Sequence, residues 1–158
     1  MKKIILLTIL ATFLISCGSK TVQESKKVIK GNWALDAITY SETGNFNVNL
    51  LSDGNADCFI GSTWHFIPNN NTGTYNVSNS DCVTGERYFV FTIKEMDSET
   101  GLYDFLLKPT DEKYKSELDK GYRFNLKALS KSSMKWGQTV TLEGKPFEVI
   151  MDFSKITE

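Results

Sequence analysis

Tyr122-Arg123-Phe124-Asn125-Leu126-Lys127-Ala128-Leu129 decides the fold. Tyr122, Phe124, Leu126 and Ala128 share one parity, and Arg123, Asn125 and Lys127 share the other. A period of two places apolar side chains on one face of a strand and polar ones on its back. Ser130-Lys131-Ser132-Ser133 follows with turn chemistry, then Met134 to Leu142 as a further strand. Glu143-Gly144-Lys145-Pro146 turns the chain again, and Phe147, Val149, Met151 and Phe153 then alternate with Glu148 and Asp152. Upstream, the same reading covers Tyr103 to Lys108, Arg87 to Lys94 and Thr74 to Val77. In Cys58 to Ile67, Ile60, Trp64 and Phe66 oppose Gly61, Thr63 and His65, and Pro68-Asn69-Asn70-Asn71-Thr72-Gly73 supplies the next turn. Consecutive hairpins of this kind make an antiparallel meander.

About eight strands fit between Gly31 and the C-terminus, and a sheet of that size with one apolar face closes on itself and loses its edges. The expected fold is all-β, an up-and-down antiparallel barrel formed by residues 31–158 as one domain. One stretch breaks the alternation. Thr110 can cap a helix, acids follow it, Tyr114 and Leu118 are four apart, and Gly121 can end it. A short helix is expected near 110–120.

The N-terminus has a different character. Lys2 and Lys3 precede an apolar run from Ile4 to Ile15, too short for the roughly 20 residues of a membrane span. Leu14-Ile15-Ser16-Cys17 at its end resembles the lipobox of bacterial lipoproteins. The resemblance implies that residues 1–16 are a signal peptide and that Cys17 carries a diacylglycerol on its sulfur. An unlipidated secretory leader would leave an odd cysteine in an oxidising compartment. The expected partner of the mature chain is thus a membrane, reached through the lipid anchor at Cys17, and two or more acyl chains make such attachment stable. Residues 17–30 are small and polar and read as a flexible tether. No acidic cluster follows Cys17, and by resemblance to lipoprotein sorting this favours a periplasm-facing position on the outer membrane of a bacterial envelope.

Removing residues 1–16 takes away two lysines and no acid, which leaves 16 basic against 19 acidic side chains, a formal charge of −3. Nothing in this balance asks for nucleic acid. With Cys17 assigned to the anchor, Cys58 and Cys82 remain as one pair, and an oxidising envelope predicts a disulfide. Zinc is a poor rival, because there is no CxxC and only one histidine.

Gly31-Asn32-Trp33, opening the first strand of such a meander, resembles the first signature of the lipocalin superfamily. Cys58, Gly61-Ser62-x-Trp64-x-Phe66, Asn71-x-Gly73-Thr74-Tyr75 and Cys82 resemble the lipocalin-like domain of small envelope lipoproteins of the Bacteroidetes type. The Thr-Asp-x-x-Tyr signature of typical lipocalins is absent. The resemblance implies that Trp33 closes one barrel end against an arginine, Arg123 by chain order with Arg87 as the other candidate. It also implies a small apolar or amphipathic ligand at the barrel mouth. Trp64, Phe66, Tyr88, Tyr103, Phe105, Tyr122, Phe124 and Trp136, read as inward-facing, are the candidate ligand contacts. An eight-stranded interior is just wide enough to be filled by side chains or to hold one small ligand. Two readings follow, a carrier and a solid module that contacts a protein or glycan through its loops.

His65 is the single histidine, so a hydrolytic triad would have to pass through it. Ser62 with Asp57 or Asp81 could complete a triad on paper, but no Gly-x-Ser-x-Gly elbow is present and His65 reads as an outward strand residue. Asp53-Gly54-Asn55-Ala56-Asp57 begins like a calcium loop. Cys58 then stands where the sixth-position glycine belongs and Trp64 where the bidentate glutamate belongs, so the EF-hand reading fails and only a looser carboxylate site remains as an alternative. Asp97 with Glu99 and Asp111 with Glu112 read as solvated turn or helix-start acids. Two glycosylation sequons, at Asn70 and Asn76, carry little weight behind a bacterial leader. No phosphate loop or dinucleotide fingerprint occurs, so no cofactor is expected and the chain reads as non-enzymatic.

Overall fold

A computed structural model of the chain describes residues 20–95, 103–116, 119 and 121–157. The expected leader 1–16, the lipid attachment at Cys17, the acids Asp97 and Glu99, and Leu118 lie outside the described residues. In chain order the elements are α1 (Lys20–Ile29), β1 (Gly31–Tyr40), β2 (Asn49–Leu50), β3 (Gly54–Asn55), α2 (Ala56–Phe59), β4 (Thr63–Ile67), β5 (Thr72–Val77), β6 (Gly85–Glu95), β7 (Tyr103–Thr110), β8 (Tyr122–Leu129), β9 (Ser133–Leu142) and β10 (Lys145–Lys155). Eight strands close into an antiparallel barrel in the order β1-β10-β9-β8-β7-β6-β5-β4, and β2 pairs with β3 as a separate ribbon. Among the described residues no helix is long and apolar enough to cross a membrane.

Closure runs through β1. Trp33 lies opposite Trp64 of β4 on one side and Lys155 of β10 on the other. Alternation then fills the interior: Trp64 and Phe66 from β4, Tyr75 from β5, Phe89 and Phe91 from β6, Phe105 from β7, Phe124 from β8, Trp136 from β9 and Phe153 from β10 are all buried. Phe66, Gly73 and Phe89 form one cross-strand row. A Cβ at Gly73 would run into the Phe89 ring and the His65 carbonyl, so this strand position makes room for aromatic neighbours on both sides.

Three readings of the alternation change. Ile60, expected on the inward face with Trp64 and Phe66, follows the turn of α2 ahead of β4 and is 41% exposed. In β6 the inward side chains are Phe89, Phe91 and Ile93, so Tyr88 faces outward, where its ring meets Tyr114 edge-on at 5.8 Å and its hydroxyl bonds Glu86. In β8 the register slips between Leu126 and Ala128, and this bulge turns Ala128 out to solvent.

The expected helix near 110–120 is replaced by strand and turn. Thr110 ends β7, and none of the described residues from 111 to 121 is helical. Asp111 explains the difference. Its carboxylate accepts from the amides of Lys113 and Lys115, and its own amide bonds the Lys115 carbonyl, which closes a turn that Tyr114 completes at φ 58°.

The tether expectation also changes, because Lys20–Ile29 is a helix lying over the barrel end where β1 begins. Lys26 and Lys27 in its last turn suit the negative pole of the helix dipole. Its C-terminal end is fastened to the barrel. Ile29 is fully buried, the Trp33 indole donates to the Ile29 carbonyl at 2.8 Å, and Lys155 donates to the carbonyls of Val28 and Lys30.

Candidate functional site

At the opposite end, where β1 finishes, residues 41–62 lie over the barrel mouth. Leu50, Leu51, Ala56 and Phe59 from this segment are buried. Phe59 packs on Tyr75 with centroids 5.6 Å apart, and Phe46 packs on Phe147 at 4.7 Å. Each such buried side chain contributes roughly 1.5–3 kcal/mol, so several together hold the segment down. Asn55 starts the single turn of α2 by accepting from the Asp57 amide. Leu51 and Ser52 both take left-handed backbone, at φ 55° and 57°, where the chain bends into the mouth.

Polar contacts and one covalent bond complete the closure. Asp53 accepts from Arg87 Nε and from the Tyr75 hydroxyl, each at 3.0 Å. Arg87 also donates to the Val83 carbonyl, and Ser52 bonds the Tyr122 hydroxyl. Burial, with the Asp53 charge and hydrogen bond behind it, pushes the Tyr75 phenol well above its ordinary range, and the Arg87 charge offsets this only in part. Cys58 and Cys82 form a disulfide with Cα atoms 5.8 Å apart, which ties α2 to the β5–β6 connection. Asp53, the first residue of the calcium-like stretch, is therefore committed to a cation and a phenol of its own chain. Asn55 is occupied by Asn47 and Asp57, and no group of three or more metal-ligating side chains occurs among the described residues.

Between the two closed ends the interior is aromatic. Trp64 stacks on Tyr75 at 4.6 Å and meets Trp136 edge-on at 5.6 Å, while Trp136 lies 4.8 Å from Phe105, 5.4 Å from Phe124 and 4.7 Å from Phe153. Of the eight candidate ligand contacts, Trp64, Phe66, Tyr103, Phe105, Phe124 and Trp136 are buried in this packing. Tyr122 is half-buried at the mouth and Tyr88 lies outside. Phe89, Phe91 and Phe153 belong to the same cluster and escaped the sequence reading. A one-residue parity error in β6 hid the first two, and Phe153 had been read only as part of the last strand.

The arginine expected beside Trp33 is elsewhere. Arg123 lies on the outer wall and pairs with Asp104 at 2.8 Å, while Arg87 is held at the mouth. Lys155 stands over the Trp33 ring instead, 4.3 Å from its centroid, and desolvation there lowers the lysine's pKa. Outside the barrel, His65 bonds Asn32 and lines an open groove of about 650 Å³ with Thr63, Thr74, Asn76 and Glu86. Ser62 is buried, donates to the Phe59 carbonyl and accepts from the Trp64 indole, so its hydroxyl serves the core while His65 points outward.

No family model matches the chain, and no curated protein matches it. Among solved structures, a lipocalin-like protein from Bacteroides uniformis is similar over 82% of this chain and 99% of its own, with a TM-score of 0.50 at 13% sequence identity. Eight antiparallel strands closed in chain order, together with that likeness, give this chain the lipocalin-like fold.

Proposed function

We propose that this protein is a membrane-anchored lipoprotein of a bacterial envelope whose barrel acts without catalysis, as a solid interaction module. The observation that carries this reading is the close packing of the described side chains inside the barrel. Aromatic rings touch from Tyr75 through Trp64 and Trp136 to Phe124, and both ends are covered by segments of the same chain. A barrel used this way acts through its outer wall and loops. Val83, 76% exposed, and Ile60, 41% exposed, flank the disulfide at the mouth and are the first contacts to probe.

A small apolar ligand is the second reading, favoured by the lipocalin-like fold. It requires residues 41–62 to lift from the mouth and the aromatic cluster to rearrange. Native mass spectrometry of the protein purified from its own envelope separates the two. Repeated absence of a bound small molecule supports the solid module, and a stoichiometric apolar adduct overturns it in favour of a carrier. Cys17→Ala tests the anchor: the variant should leave the membrane fraction, and continued attachment would remove that part of the proposal.

A further inference from the structure

The helix over the Trp33 end changes what an anchor at Cys17 would do. Cys17 and Lys20, the first residue of α1, are three Cα steps apart, about 10 Å at full extension. That is close to one Debye length at physiological salt. A tether reaching to Lys30 would let the barrel swing freely, whereas a helix beginning at Lys20 and fastened at Ile29 holds this end near the bilayer.

The surface so held is basic. Lys26, Lys27 and Lys30 line an open groove of about 340 Å³ beside Pro68 and Asn69 of the β4–β5 turn. Lys26 reaches across to Asn71 and Lys27 pairs with Glu24, both sides of that pair well exposed. Lys131 in the β8–β9 turn and Lys94 near the end of β6 are exposed at the same end. Across α1, the β4–β5 turn and the β8–β9 turn, Glu24 is the single acid in the sequence, while the connection that leaves β6 at this end adds Glu95, Asp97 and Glu99. The connections of the opposite end are acidic on balance, with nine acids, Glu42, Asp53, Asp57 and Asp81 among them, against Lys113, Lys115 and Lys120. The far end is the acidic one, and the positive charge beside the anchoring segment is a local strip along α1 and the β4–β5 turn.

We infer that the groove between α1 and the β4–β5 turn docks on anionic phospholipid headgroups and sets the barrel upright, with the disulfide-tied mouth turned away from the membrane. This rests on the anchoring proposed above. The helix lies on the surface and does not insert, because Gln23, Glu24, Ser25, Lys26 and Lys27 interrupt any apolar face. Each lysine brought to an anionic surface is worth about five-fold in local partitioning, and salt screens the effect.

The test uses the full lipidated chain on vesicles of phosphatidylcholine alone or with added phosphatidylglycerol. Flotation reads attachment, and the rate of lysine acetylation at Lys26, Lys27 and Lys30, followed by mass spectrometry, reads docking, with Lys113 and Lys145 as controls at the far end. The expected result is flotation on both vesicles, with acetylation of the three lysines slowed several-fold only on the anionic ones and restored by high salt. Flotation on both with equal acetylation overturns docking and leaves the anchor standing. Absence of flotation on neutral vesicles removes the anchor. Salt-sensitive binding to anionic vesicles that Lys26→Gln, Lys27→Gln and Lys30→Gln together abolish would then support docking by itself, and binding to neither vesicle overturns both.

Discussion

Trp64 and Trp136 sit in one aromatic cluster, yet the same substitution should treat them differently. The Trp64 indole donates to Ser62 Oγ at 2.8 Å, whereas the indole N–H of Trp136 finds no acceptor among the described residues. Changing either residue to phenylalanine removes part of a buried ring, worth about 1 kcal/mol on the area scale. Trp64→Phe also loses its hydrogen bond, a further cost of about 1 kcal/mol. Trp136→Phe instead removes a buried donor that folding left unpaired, a relief of about 1–3 kcal/mol. Trp64→Phe should therefore destabilise by about 2 kcal/mol, and Trp136→Phe should range from about neutral to about 2 kcal/mol stabilising. Urea unfolding followed by far-ultraviolet circular dichroism, with an unchanged m-value as the check on the unfolded state, measures both. If Trp136→Phe costs as much as Trp64→Phe, the argument from the unpaired indole is wrong.

Reduction of the Cys58–Cys82 bond, which spans 24 positions, should lower unfolding free energy by about 3 kcal/mol, read as a fall in the urea midpoint; equal midpoints with and without reductant would remove the disulfide from the account. Tyr75 titrates higher in the folded chain than in the unfolded one, so its contribution is full below about pH 10 and is lost as pH rises, when the unfolded phenol ionises first. Stability should thus fall more steeply above about pH 10 in the native sequence than in Tyr75→Phe, and parallel pH profiles would contradict this. Gly73→Ala should cost about 1–3 kcal/mol through its clash with Phe89 and the His65 carbonyl, and thermal melting unchanged from the parent would show that the row relaxes freely.

Period-two alternation made most of the barrel legible, since a strand such as β10 buries Phe147, Val149, Met151 and Phe153 and leaves the residues between them half-buried. Cysteine arithmetic identified the pair at 58 and 82 for a reason independent of geometry, the compartment implied by the leader. The failures share a physical cause, which is that long-range contacts decided local structure. Residues 20–29 contain few apolar side chains and read as a tether, but one end of the helix is secured by Trp33 and Lys155 from elsewhere in the chain. Asp111 looked like the first acid of a helix, and its carboxylate closed a turn instead. Residues 41–62 lack strong alternation, so nothing local announced that Leu50, Leu51 and Phe59 would seal the mouth. The exchange of Lys155 for an arginine over Trp33 follows from β10 ending beside β1, a register that composition alone does not reveal.

The seam between β1 and β10 also governs the order of folding. Val28 and Lys155, bonded across it, are 127 positions apart, and closing a loop of that length costs about 4 kcal/mol of chain entropy before any contact offsets it. Hairpins from β4 to β10 can form as local pairs and β1 can join β4 across residues 41–62, but the pairing of β1 with β10 joins the two ends of the barrel sequence. A chain made N-terminus first therefore displays its first strand early and completes that strand's pairing last. The sheet stays open until β1 meets β10, and the same meeting lets Lys155 fasten the end of α1. The meeting of the first strand with the last is the expected slow step of folding, and the edges of β1 and β10 stay unpaired until it occurs.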